Sequence, residues 1–149
     1  MNQASHGAKP GAADVEQDRP AENIEGLWRL VKAASWDAQG QALPAPYGDR
    51  PMGQILIQHG RMLAALCNGN ETIAPGARRE YMSYGGPYTF DGKFLRTSVD
   101  LSSDPARIGG IEERAVTMRG PYMVLRPPLR QYLGILQQRE LYWERIWTP

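Results

Sequence analysis

The residues best suited to act on a small molecule lie between Met62 and Tyr122. Tyr84, Tyr88 and Tyr122 each carry a hydroxyl donor on an apolar ring, which can orient a carbonyl or steady an enolate. Arg96 and Asp100 share parity, and so do Glu112 and Arg114. On extended backbone, shared parity puts each pair on one face. For Arg96 and Asp100 two arrangements are open. They can form a solvated face behind a core of Leu95, Thr97, Val99 and Leu101, the usual look of a half-buried strand. Or they can pair inside, against a ligand carboxylate or carbonyl. For Glu112, a surface ion pair with Arg114 competes with a buried carboxyl of raised pKa acting as general base. The candidate catalytic residues are therefore Tyr84, Tyr88, Arg96, Asp100 and Glu112. The candidate ligand contacts are Tyr84, Tyr88, Arg96, Asp100, Arg114, Met62 and Tyr122. Met62 stands for adaptable thioether lining, with ordinary core filling as the plainer alternative.

Several chemistries are excluded. There is no nucleophile elbow, no phosphate-cradling glycine loop and no carboxylate metal box. His6 and His59 cannot form a metal-ligating pair, so neither a metal nor any other cofactor is expected. His59 precedes Gly60 at a predicted hairpin tip and is discounted as a base. The 17 basic and 16 acidic residues nearly cancel, which leaves no broad field for nucleic acid. Cys67 has no cysteine partner and reads as a small apolar strand residue in a reducing, cytoplasmic setting. No apolar run approaches the roughly 18 residues of a membrane span. The first residues lack the apolar core of a secretory signal.

These side chains need extended elements to hold them. Tyr81–Leu101 is the organising stretch, two strands about a tight turn at Asp91-Gly92. Tyr84 and Tyr88 share a face unless Gly85-Gly86-Pro87 bulges. Residues 1–22 are poor in large apolar side chains and read as a flexible tail before a single domain at 23–149. Ile24–Trp36 reads as a first strand, although Leu27, Leu30, Val31 and Ala34 also fit helical spacing. A proline-punctuated loop follows, then a hairpin of Gly53–Ile57 and Arg61–Cys67 around His59-Gly60. Asn68–Arg79 is a connecting loop with room for a short helical turn. Ile111–Met118 and Tyr122–Arg126 make a further hairpin. Leu129–Leu136 reads as a short strand or a helical turn, and Glu140–Trp147 as the last strand.

About eight short strands in consecutive hairpins, with no long helix between them, point to an all-β, antiparallel, up-and-down barrel. A ring of that size either fills with side chains or holds one small ligand. An interior cavity of roughly 300 Å³ or more separates the two.

Gly26-Leu27-Trp28-Arg29-Leu30, Pro46-Tyr47-Gly48, Pro51-x-Gly53 and Gly60-x-Met62 resemble successive motifs of the bacterial and fungal lipocalin-like domain family. So do Tyr84-x-Gly86-x-Tyr88, Val99-Asp100-x-Ser102-x-x-Pro105 with Gly109, and Trp143-Glu144-Arg145. The resemblance spans residues 25–147 and implies an eight-stranded lipocalin-type barrel. It also implies that Trp28 and Arg145 pair structurally, a guanidinium on an indole plugging one end. Where many relatives carry a histidine, this chain has Thr97 and Ser98, so imidazole chemistry there is absent. A few relatives resemble isomerases or cyclases.

The leading reading is a cytoplasmic barrel that binds a small hydrophobic or aromatic carbonyl-bearing molecule. The alternative is a cofactor-free isomerase, cyclase or lyase using the same tyrosines, arginines and carboxylates. A third is self-association of a filled barrel, as a homodimer, through Tyr142 or Trp147.

Overall fold

A computed structural model describes residues 17–149. Eight long strands dominate: β1 (Gly26–Asp37), β2 (Pro51–Gln58), β3 (Arg61–Asn68), β4 (Tyr81–Phe90), β5 (Phe94–Ser98), β6 (Ile111–Arg119), β7 (Tyr122–Arg126) and β8 (Ile135–Trp147). All their pairings are antiparallel. They run from β1 through β7 to β8 between sequence neighbours, and β8 also pairs with β1. The result is a barrel-like antiparallel sheet. Short strands at Asp18–Arg19, Ala42–Leu43, Leu101–Ser102 and Arg130–Tyr132 attach to it.

Local chemistry sets the turns. His59 (φ 54°) and Gly60 (φ 77°) are both left-handed, which is the primed geometry that matches strand twist. The Asp91-Gly92 turn differs from expectation. Only Gly92 is left-handed there, and the Asp91 carboxylate accepts from the Lys93 and Phe94 amides at 2.8 and 2.7 Å. An Asx-type loop thus replaces the two-residue primed turn, because the carboxylate caps the amides a second left-handed residue would have turned.

β1 is a strand with one bulge. Tyr142 pairs with Lys32 but Trp143 pairs with Leu30, so Val31 is an extra, bulged residue. Trp28 and Leu30 face inward before it, Ala33 and Ser35 after it. Of the residues that fit helical spacing, only Leu30 is buried; Val31 is exposed at the bulge. The uncertain Leu129–Leu136 segment resolves as a short strand turning at Leu133-Gly134 into β8. Asn68–Arg79 contains turns and no helix.

The expected tail lies mostly outside the described residues, as does His6. Its last part does not hang free: Asp18 and Arg19 pair with Arg119 and Met118, and Ala21 is buried. Asp18 also binds Arg119 through two bonds of 2.6 and 3.0 Å, which explains the attachment.

The core follows the inward face: Ile55 and Ile57 on β2, Met62, Ala64 and Leu66 on β3, Leu95 and Thr97 on β5, Val116 on β6, Met123 and Leu125 on β7, Leu141 and Trp143 on β8. Near the first residues of β1, Arg145 sits with its Cζ 4.4 Å from the Trp28 ring centroid. The Trp28 indole donates to the Ile24 carbonyl at 2.9 Å, and Arg145 donates to the Asn23 carbonyl. Burial lowers the Arg145 pKa.

Candidate functional site

A cavity of about 70 Å³ lies inside the sheet, towards the end opposite Trp28 and Arg145. It is far smaller than the 300 Å³ expected of an open ligand chamber, because Trp143, Leu66, Leu125 and Leu141 occupy most of the interior. Its floor is apolar, formed by these side chains with Ile55 and Ala64. Its rim is polar and aromatic: Tyr47, Tyr84 and Tyr132 alternate with Arg107, Arg114 and Arg139.

Each rim residue has a local reason for its place. Tyr84 faces inward from β4, 5% exposed, and Gly86 lets that strand press against the next corner of the sheet. A Cβ at Gly86, with φ of +155°, would meet the Ser98 carbonyl oxygen at 1.9 Å. Tyr47 has a left-handed backbone (φ 64°), and its amide donates to the Glu80 carboxylate at 3.1 Å. Burial pushes the Tyr47 phenol above its ordinary value. Arg107 ends a short 3₁₀ turn that Asp104 caps and Pro105 opens. Arg114 and Glu112 face inward from β6, paired across the ladder with Leu95 and Thr97. Arg139 shares the inward parity of Leu141 and Trp143 on β8.

Glu112 is 6% exposed and binds two arginines of this rim. It accepts from Arg107 and from Arg130 at 3.0 Å, with Arg114 Nη2 at 3.6 Å. Burial alone would push its carboxyl up. The Arg130 hydrogen bond and the charges of Arg114 and Arg107 outweigh it and leave the pKa below the ordinary carboxylate value. The Glu112–Arg114 pair is therefore not a surface pair, and Glu112 is not a base of raised pKa. Arg139 has no carboxylate partner among the described residues. Its Cζ lies 3.5 Å from the Tyr132 ring centroid, and its Nε is buried with no acceptor in the protein. Trp143 Nε1 and Thr97 Oγ1 are likewise buried without a protein partner.

Of the sequence candidates, Tyr84, Arg114 and Glu112 come together here, Tyr84 and Arg114 in contact (Cζ 5.7 Å from the ring centroid). Tyr88 shares the inward face of β4 but packs at the opposite end, beside Glu22–Glu25. Arg96 and Asp100 do not meet. Arg96 lies outside on Glu113 and Asp91, at 2.8 and 3.1 Å. Asp100 lies outside on Arg61 at 2.6 Å, past a corner that breaks the strand after Ser98. The inward pairing of Arg96 with Asp100 is thus corrected: even parity put both on the polar face, as the solvated alternative had it. Met62 is buried in the core but away from the cavity lining. Tyr122 faces outward, edge-on to Tyr142 at 6.3 Å. The cavity residues that sequence reasoning missed are Tyr47, Tyr132, Arg107 and Arg139.

Residues 25–146 match the lipocalin-like domain family. This chain belongs to that family. No curated protein and no solved structure matches it. Among the described residues no helix is long and apolar enough to cross a membrane, and no cluster of three His, Cys, Asp or Glu side chains could hold a metal.

Proposed function

We propose that this lipocalin-like chain is an eight-stranded barrel that binds a small hydrophobic or aromatic molecule bearing a carbonyl group in its interior. The observation that carries this reading is the two-sided cavity. An apolar floor of Leu66, Leu125, Leu141 and Trp143 meets a rim of phenols and guanidinia. Binding sites of this kind pair apolar walls with a few directed polar groups. The space is about 70 Å³, below the usual ~300–1,000 Å³ of drug-sized pockets, so the ligand is a short chain or a single ring. Tyr84, Arg114, Arg107 and Arg139 are its polar anchors. Trp28 and Arg145 close the far end and have no part in binding.

The isomerase, cyclase or lyase reading is weaker, because efficient proton transfer wants a group titrating near neutrality. At this rim the Tyr47 phenol moves up and the Glu112 carboxyl moves down, both away from that range. The free thiol of Cys67 fits a reducing, cytoplasmic setting.

Methyl-labelled NMR of the full chain, titrated with neutral single-ring carbonyl compounds such as acetophenone and benzamide, tests the reading. Shifts confined to Leu66, Leu125 and Leu141 are expected. Saturable shifts only on outward residues, or none at millimolar ligand, would remove the interior from consideration.

A further inference from the structure

The rim of the cavity carries a guanidinium, Arg139, that no carboxylate among the described residues pairs with. Arg107, Arg114 and Arg130 all approach Glu112, and Arg139 stands beside them without a carboxylate. Asp104 also approaches Arg107, at 3.7 Å, and is half exposed. Three guanidinia thus converge on one buried carboxylate, and a fourth, Arg139, has none among the described residues. Burying like charges without counter-charge is costly, and Arg114 has a side-chain exposure of only 11%.

The unpartnered atoms point the same way. Arg139 Nε and Trp143 Nε1 belong to residues that line the cavity, and both are donors only. Buried donors usually find acceptors, so their natural complement is a group that accepts and does not donate. A neutral alcohol or amide meets this demand in part. A carboxylate meets it fully, supplies the missing charge and fits the planar fork of a guanidinium.

We infer that the cavity takes a small organic acid, its carboxylate seated among Arg107, Arg114 and Arg139 and its hydrocarbon part against Leu66, Leu125 and Leu141. This rests on the interior-binding reading above and narrows its ligand from any carbonyl compound to an acid. The apolar floor argues against a bare inorganic anion, which would leave that surface uncovered. Tyr132, stacked on Arg139, holds its guanidinium at the rim, and Glu112 fixes Arg107 and Arg114 so that their remaining N–H groups stay available.

The test compares isosteres on the full chain by calorimetry and methyl NMR: benzoate against benzamide, and propanoate against propanamide, at neutral pH. Each acid should bind at least about tenfold more tightly than its amide. Arg139→Gln should shrink that ratio, the acid losing more affinity than the amide, and an unchanged ratio in the folded variant would overturn the seat at Arg139. Equal affinity for acid and amide, with shifts at Leu125 and Leu141, would overturn the acid assignment and leave interior binding standing. No interior shift with either would defeat both readings together. Inorganic phosphate binding as tightly as benzoate would also overturn the organic-acid assignment. The wild-type ratio decides the matter even if Arg139→Gln fails to fold.

Discussion

Two buried carboxylates on this sheet are equally hidden and differently balanced. Glu112, at the cavity rim, and Glu140, on the outer face of β8, have side-chain exposures of 8% and 4%. Glu140 accepts from Arg119 at 3.0 Å and from Arg126, with the Tyr142 hydroxyl at 3.3 Å. Arg119 is in turn held by Asp18. That group closes on itself, two carboxylates against two guanidinia. At Glu112 the count is two carboxylates, the half-exposed Asp104 included, against four guanidinia, Arg139 included. Burial therefore does not tell a structural ion cluster from a binding rim. Surplus charge facing a cavity does.

The largest expected effect comes from deepening the imbalance. Glu112→Gln leaves Arg107, Arg114 and Arg130 without their shared carboxylate, and removing one member of a buried pair costs about 3–5 kcal/mol. A loss of roughly 3 kcal/mol in urea unfolding is expected, since Arg130 and Arg107 can partly turn to water. Added benzoate should recover part of it. Glu140→Gln should cost less, about 1–2 kcal/mol, because Arg126 is already half exposed and Asp18 still holds Arg119. Benzoate should recover none of that loss. Equal losses with equal recovery would break the contrast between the two clusters.

Acid titration sharpens it. Glu112 has a folded pKa below the ordinary 4.5, so the folded state binds its proton less readily than the unfolded chain. Its contribution is present above about 4.5 and is lost as pH falls through the lower folded value. Stability measured from pH 7 down to pH 3 should fall less steeply in Glu112→Gln than in the wild type. Asp91, lowered to about 2 by the Phe94 and Lys93 amides and by Arg96, should keep its carboxylate ionised across most of that range. The smallest effect is expected at the exposed Arg61–Asp100 pair, both partners more than half exposed. Asp100→Asn should change stability by less than about 0.5 kcal/mol.

Much of the architecture was legible because turn chemistry and alternation agree. His59-Gly60 and Arg119-Gly120-Pro121 mark their hairpins by residue type, and Leu95, Thr97 and Val99 are buried as their parity required, whereas Leu101, past the corner after Ser98, is exposed. The bulge at Val31 was not legible, since one extra residue has no composition of its own. The rim was legible only in part. Tyr84 and Arg114 were reachable by parity within their strands. Arg139 was equally reachable, two residues before Leu141 and four before Trp143, once Arg145 had been placed over Trp28. Arg107 and Tyr47 were not, because both come from loops whose path across the cavity depends on contacts far apart in sequence: Asp104 capping a 3₁₀ turn, Glu80 holding the Tyr47 amide. Arg96 and Asp100 stood out in the sequence for their charge, and the same charge kept them outside.

A crystal structure of the full chain soaked with benzoate tests the central claim most directly. Ligand density bridging Arg139 and Arg114, with the ring against Leu125 and Trp143, is the predicted result. An empty interior at saturating benzoate, or density only on the outer face near Arg61 or Arg126, would contradict it.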